Sequence, residues 1–71
     1  MKRRFEFVAG SSAKFWEVGQ AGKEVTIRYG RLGTHGQSQC KSFSDAAAAE
    51  RHIAKRIGEK TGQGYRETVA A

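Results

Sequence analysis

The run Val25-Thr-Ile-Arg-Tyr-Gly-Arg-Leu-Gly-Thr34 constrains the fold of this chain more than any other segment. Val25, Ile27 and Tyr29 alternate with polar Thr26 and Arg28, the period-two pattern of a half-buried strand. Glycines at 30, 33 and 36 then break the pattern. Gly33-Thr-His-Gly36 reads as a hairpin connection that needs positive φ angles. A strand of this kind buries one face.

The flanking sequence supplies the partners. Residues 3–9 alternate, with Phe5 and Phe7 on one face and Arg4 and Glu6 on the other. Gly10-Ser-Ser12 is a turn. Lys14-Phe-Trp-Glu-Val18 reads as a second strand, with Trp16 and Val18 sharing a face and Phe15 opposite beside Glu17. Ala21-Gly-Lys23 is a short hairpin, Glu24 to Arg31 the third strand, and Gln37 to Phe43 a polar fourth strand with Cys40 and Phe43 as its apolar residues.

A helix follows. Ser44 is a good N-cap, and Asp45 complements the positive end of the helix dipole. Ala46 to Ala49 favour helix strongly. Ala49, Ile53 and Ile57 recur at i, i+4 and i+8 as an apolar stripe, while Arg51, Lys55 and Arg56 lie on other faces. Lys60 and Thr61 close the last turn, and Gly62 is a natural stop. Residues 64–69 can form a last short strand or an ordered tail. The expected fold is α+β: a small twisted antiparallel sheet of about four to five strands with one helix packed across it. Phe5, Phe7, Trp16, Val18, Val25, Ile27, Ala49, Ile53 and Ile57 are expected to supply most of the core, with Cys40 as a small buried hydrophobe.

Length and charge narrow the function. Seventy-one residues are expected to form a single domain over 1–71. A chain of this size has little material to wall a deep substrate cavity. Thirteen Lys and Arg against seven Asp and Glu leave a net charge of +6, which favours an anionic partner. The basic residues are spread along the chain, unlike a disordered basic tail. One cysteine cannot form an internal disulfide and suits a reducing compartment, so the cytoplasm is the expected location. No apolar stretch approaches the roughly 18 residues of a membrane span.

Catalytic and metal chemistry are poorly supported. Cys40, His35 and His52 lack paired zinc-ligand spacing. His35 is expected in a solvated turn and His52 at the rim of the core. Cys40 with a histidine would still lack an orienting third group. Gly30-Arg-Leu-Gly33 matches the Gly-x-x-Gly loop of KH domains, but that loop joins two helices and this one joins strands. Tyr29-Gly30-Arg31 is the candidate that remains. An aromatic ring at a strand end can stack on a sugar or base. Gly30 permits close approach of a backbone or partner, and Arg31 presents a planar fork matched to phosphate. Tyr29 also shares parity with Val25 and Ile27, so on the residues alone it serves equally well as core.

From Lys14 to Tyr65 the chain resembles the WGR domain, a module named for its Trp-Gly-Arg motif. Lys14-Phe-Trp-Glu-Val18 is similar to the family's second strand. Ile27-Arg-Tyr-Gly-Arg-Leu-Gly-Thr34 resembles the signature itself, with Tyr29 where the family usually has Trp. Glu59-Lys-Thr-Gly62 followed by Tyr65 resembles the family's Glu-Lys-Thr-Gly-x-x-aromatic ending. In poly(ADP-ribose) polymerases this module grips the ends of broken DNA. Its Trp packs on a sugar at the break, and its Arg supports phosphate or interdomain contacts.

The resemblance therefore implies a non-catalytic nucleic-acid-binding module without cofactor or metal, typical of short bacterial members. NAD-dependent chemistry is not implied, because the polymerase catalytic domain has no counterpart here. The expected site comprises Tyr29, Gly30 and Arg31 with the cations Lys14, Arg28, Lys41 and Lys60. DNA ends or nicks are the first expected ligand and RNA the alternative nucleic acid. The same Tyr-Gly-Arg surface could instead serve a protein-interaction adaptor. No membrane partner is expected, and the chain is expected to be monomeric.

Overall fold

The computed structural model describes residues 2–68. Its strands are β1 (Lys2–Ala9), β2 (Ser12–Ala21), β3 (Glu24–Arg31), β4 (Gln37–Ser42) and β5 (Arg66–Thr68), with helix α1 (Ala46–Gly62) between the last two. They form one antiparallel sheet in the order β4-β3-β2-β1-β5. Four strands make a meander, and the chain returns through α1 to place β5 on the outer edge of β1. The expected α+β architecture is therefore the observed one. Val69, the expected end of the last strand, lies outside the described residues.

Register fixes the two faces. Phe5 pairs with Trp16, Trp16 with Tyr29, and Val18 with Ile27. These side chains share the face under the helix. There Phe5, Trp16, Val18, Val25, Ala49 and Ile53 are buried, and Ile27, Tyr29, Phe43, Ile57 and Tyr65 pack partly buried around them. Phe7 is half-buried and lies against Tyr65, ring centroids 5.4 Å apart.

Cys40 departs from its expected place: it is exposed. It pairs with Thr26, with the Sγ 3.2 Å from Thr26 Oγ1. Thr26 alternates with the core residues Val25 and Ile27, so this pair lies on the face away from the helix. The core-facing positions of β4 fall instead to Gln37, Gln39 and Lys41, opposite Tyr29, Ile27 and Val25. Every residue of β4 is exposed.

The helix ends also shift from expectation. Asp45, not Ser44, is the N-cap, its carboxylate accepting from Ala48 N at 2.7 Å. Phe43 N still donates to Lys23 O, which holds the chain on the sheet up to that point. At the other end Gly62 stays helical, and Gly64 takes the left-handed conformation at φ +107. Gly64 N donates to Thr61 O and Tyr65 N to Lys60 O. This pair of bonds is a Schellman motif, with the glycine two positions later than Gly62.

Candidate functional site

Three pieces of local structure converge at one end of the helix-covered face. The register of β2 against β3 sets Lys14 opposite Arg31 and Trp16 opposite Tyr29. The last helical turns bring Arg56 and Lys60 above them. The Schellman motif then reverses the chain and lays Tyr65 beside the Lys60 ammonium, 5.2 Å from the ring centroid. Lys60 Nζ also sits 5.9 Å from the Trp16 ring centroid.

The result is an open cleft of about 470 Å³ whose lining includes Lys14, Trp16, Tyr29, Arg31, Lys60 and Tyr65. Among the described residues, no carboxylate lines it. Burial, together with Arg56 and Lys14 nearby, holds the Lys60 pKa below the ordinary lysine value, with Glu59 opposing. An anion docking in the cleft would relieve that repulsion.

Tyr29 serves two purposes at once. Its ring packs against the core, and its hydroxyl donates to Gln37 Oε1 at 3.1 Å. The side chain remains half-buried, with an edge in the cleft. Both readings left open by strand parity thus describe parts of the same residue.

Gly30 is explained inside the molecule. A Cβ on Gly30 would lie 2.6 Å from Gly36 Cα. The turn after β3 folds back onto the face away from the helix and rests on Gly30. Thr34 Oγ1 and N both donate to Arg31 O, at 2.8 and 3.2 Å, and Leu32 N donates to Ala13 O, which fixes the turn at both ends. The close approach that glycine permits here is made by the chain's own backbone.

Of the other expected cations, Lys14 and Lys60 join Arg31 in the cleft. Lys41 lies farther along β4, its ammonium 5.4 Å from the Phe43 ring centroid. Arg28 is on the opposite face. Its Nε and Nη2 donate to Glu17 Oε1 at 3.1 and 3.0 Å, and its Nη1 donates to the His35 carbonyl. Arg56 and Tyr65 were absent from the expected set. Tyr65 was legible through the ending Glu59-Lys-Thr-Gly62. Arg56 was visible only as the i−4 neighbour of Lys60, a spacing that puts both on one helix face.

The face around Arg28 is an ion-pair cluster. Arg4 Nη1 reaches Glu17 Oε2 at 2.6 Å, and Lys2 Nζ lies 3.6 Å from Glu17 Oε1. Burial of Glu17 would raise its pKa, but hydrogen bonds from Arg4 and Arg28, with the charges of Arg28 and Lys2, hold it below the ordinary value of 4.5. A lowered folded pKa contributes stability that is present above the unfolded value and lost as pH falls through the folded one. The urea midpoint of the protein is therefore expected to fall on acidification below about pH 4.5. Glu17→Gln should flatten that acid limb while lowering stability at neutral pH. Identical acid dependence in both proteins would remove Glu17 from the account.

Among the described residues no group of three His, Cys, Asp or Glu side chains could hold a metal ion. None of their helices is long and apolar enough to cross a membrane.

Comparison with known proteins agrees with the fold. The chain is 51% identical over 65 residues to Protein YehF of Escherichia coli strain K12, covering 92% of this chain and 24% of YehF. It is 33% identical over 67 residues to the uncharacterized protein YfeS of the same strain, covering 94% of this chain and 28% of YfeS. The chain thus spans about a quarter of the length of these curated relatives. A crystal structure of a Bacteroides fragilis protein superposes with a TM-score of 0.94 at 49% identity, over 97% of this chain and 20% of that one. The family model described as WGR domain matches residues 1–71. The chain belongs to the WGR domain family.

Proposed function

We propose that this chain is a non-catalytic nucleic-acid-binding module that grips DNA at ends or nicks through the cleft between β3 and the C-terminal half of α1. One observation carries the reading: Lys14, Arg31 and Lys60 converge beside Tyr29 and Tyr65 in a cleft that no carboxylate lines among the described residues. Cations neutralise phosphates, and half-exposed rings offer stacking surfaces that do not depend on base identity. The helix is packed on the sheet and begins with Asp45 and a run of alanines, so it is a poor groove reader. Sequence discrimination is therefore weak and phosphate contacts dominate.

Fluorescence anisotropy with nicked DNA, blunt duplex, single-stranded DNA and structured RNA tests this reading. Binding to nicked or blunt DNA is expected to weaken steeply with salt, by about 0.9 in the log–log slope for each phosphate neutralised. Lys60→Gln should reduce that slope by about one phosphate's share. Arg31→Lys should weaken binding by losing the bidentate fork while keeping the charge. Tyr29→Trp should retain it, because the larger ring keeps the stacking face. Absence of binding to every nucleic acid at low salt would overturn the proposal and assign the face to a protein partner.

A further inference from the structure

The cleft does not stop at Tyr29. A second groove runs beside it toward the start of the helix, and its lining includes Val25, Lys41 and His52. Ile27, Gln39 and Arg56 line both. The two grooves therefore adjoin along the β3–β4 edge of the sheet beside α1, and together they are called the trough. Its floor is Ile27 and Val25. Its walls carry Lys14, Arg31 and Lys60 at one end, Arg56 midway, and Lys41 with His52 at the other.

Three observations define what such a trough can hold. Among the described residues, no carboxylate lines either half. Glu59 is nearby, but it is bonded to Arg56 Nη1 at 3.1 Å. Aromatic surface stands beside the cations at both ends: Tyr29 and Tyr65 at the first, and the His52 ring at the second, tilted by 40° against Phe43 with centroids 4.8 Å apart. Burial, followed by Lys41, Arg56 and Lys55, lowers the His52 pKa against the opposing Glu59, which favours the uncharged ring. Finally, the trough is confined between a helix and the strands it packs on. From His52 to Lys60 the helix rises about 12 Å, enough for a short run of nucleotides. A single strand can use cations and rings in alternation along this length.

We propose that the trough carries a single-stranded extension of the bound nucleic acid, running from the Tyr29–Lys60 cleft past Arg56 to Lys41 and His52. The proposal rests on the nucleic-acid reading of the cleft. An acidic peptide would satisfy the cations but not the paired aromatic surfaces, whereas alternating phosphates and bases use both.

The test compares a phosphorylated blunt hairpin duplex with the same hairpin carrying a six-nucleotide single-stranded extension on either strand. The extended ligand on one strand polarity is expected to bind about tenfold tighter, with a salt slope steeper by about 0.7 for each additional phosphate. Lys41→Gln, a change at an exposed position, should cut that advantage severalfold, and His52→Ala should do the same with little change in salt slope. Equal binding of blunt and extended ligands by the native chain would overturn this inference and leave the function of the cleft intact. So would a Lys41→Gln variant whose advantage for the extension equals that of the native chain. Failure to bind either ligand would overturn both readings.

Discussion

Gly36→Ala is expected to remove much of the stability of this protein. Gly36 has φ +68, a left-handed conformation that costs an L-residue about 1–2 kcal/mol. Space is the larger problem. A Cβ there would stand 2.2 Å from Tyr29 O and 2.9 Å from Phe15 Cζ. The first atom belongs to the backbone of β3, where a paired strand holds it. Relief requires lifting the turn from Gly30 and opening the cover over Phe15. The combined cost should be about 3 kcal/mol or more, set against the 5–15 kcal/mol typical of a whole domain. A thermal midpoint lower by about 12 °C or more follows for a chain of this size. Gly33→Ala is the control. Gly33 also has positive φ, at +87, but no atom lies within 4 Å of the place its methyl group would take. Its cost should stay near the conformational 1–2 kcal/mol. Equal midpoints for the two variants would mean that the turn does not rest on Gly30 and Phe15.

That turn also shows where sequence reading reaches its limit. The positive φ angles of Gly33 and Gly36 were legible, because a short connection between strands needs them. That Gly30 admits a close approach was legible too, but the neighbour was not: it is Gly36 Cα, brought there by a reversal that local pattern does not encode. Alternation placed Phe5, Trp16, Val18 and Val25 in the core, and helical spacing placed Ala49 and Ile53 against them. The same alternation misplaced Cys40, since period two assigns a face only once the pairing register is known. Arg28 illustrates this for the site. It adjoins Tyr29 in sequence, and for that reason its side chain leaves the sheet on the other face. Lys14 lies opposite Arg31 only through the β2–β3 register. The motif residues were thus legible as chemistry, but their grouping with Arg56 depended on how the helix crosses the sheet.

Phe15 is the largest departure from a one-faced core, and Phe15→Ala carries the other large expected effect. Strand parity puts Phe15 with Glu17 on the face the helix does not cover, where a polar residue would be expected. Yet Phe15 is only 1% exposed. Its cover comes from three separate places. The Arg4 guanidinium lies 4.6 Å from the ring centroid, the Arg28 guanidinium 5.0 Å, and the Gly36 backbone closes the remaining side. Both arginines are held there by Glu17. The carboxylate therefore stabilises an apolar site indirectly, by fixing two cations over a ring, each contact being worth about 0.5–2 kcal/mol. Removing the ring loses its buried surface and leaves a cavity under two charged groups, so the expected cost is about 3–5 kcal/mol by urea denaturation. Phe15→Leu retains apolar volume without the π face and should fall between the alanine variant and the native chain. A loss below about 0.5 kcal/mol for Phe15→Ala, the range of an ordinary surface position, would show that this second apolar centre contributes nothing. A large loss for alanine with none for leucine would assign the whole effect to packing and remove the arginine–ring contacts from the account.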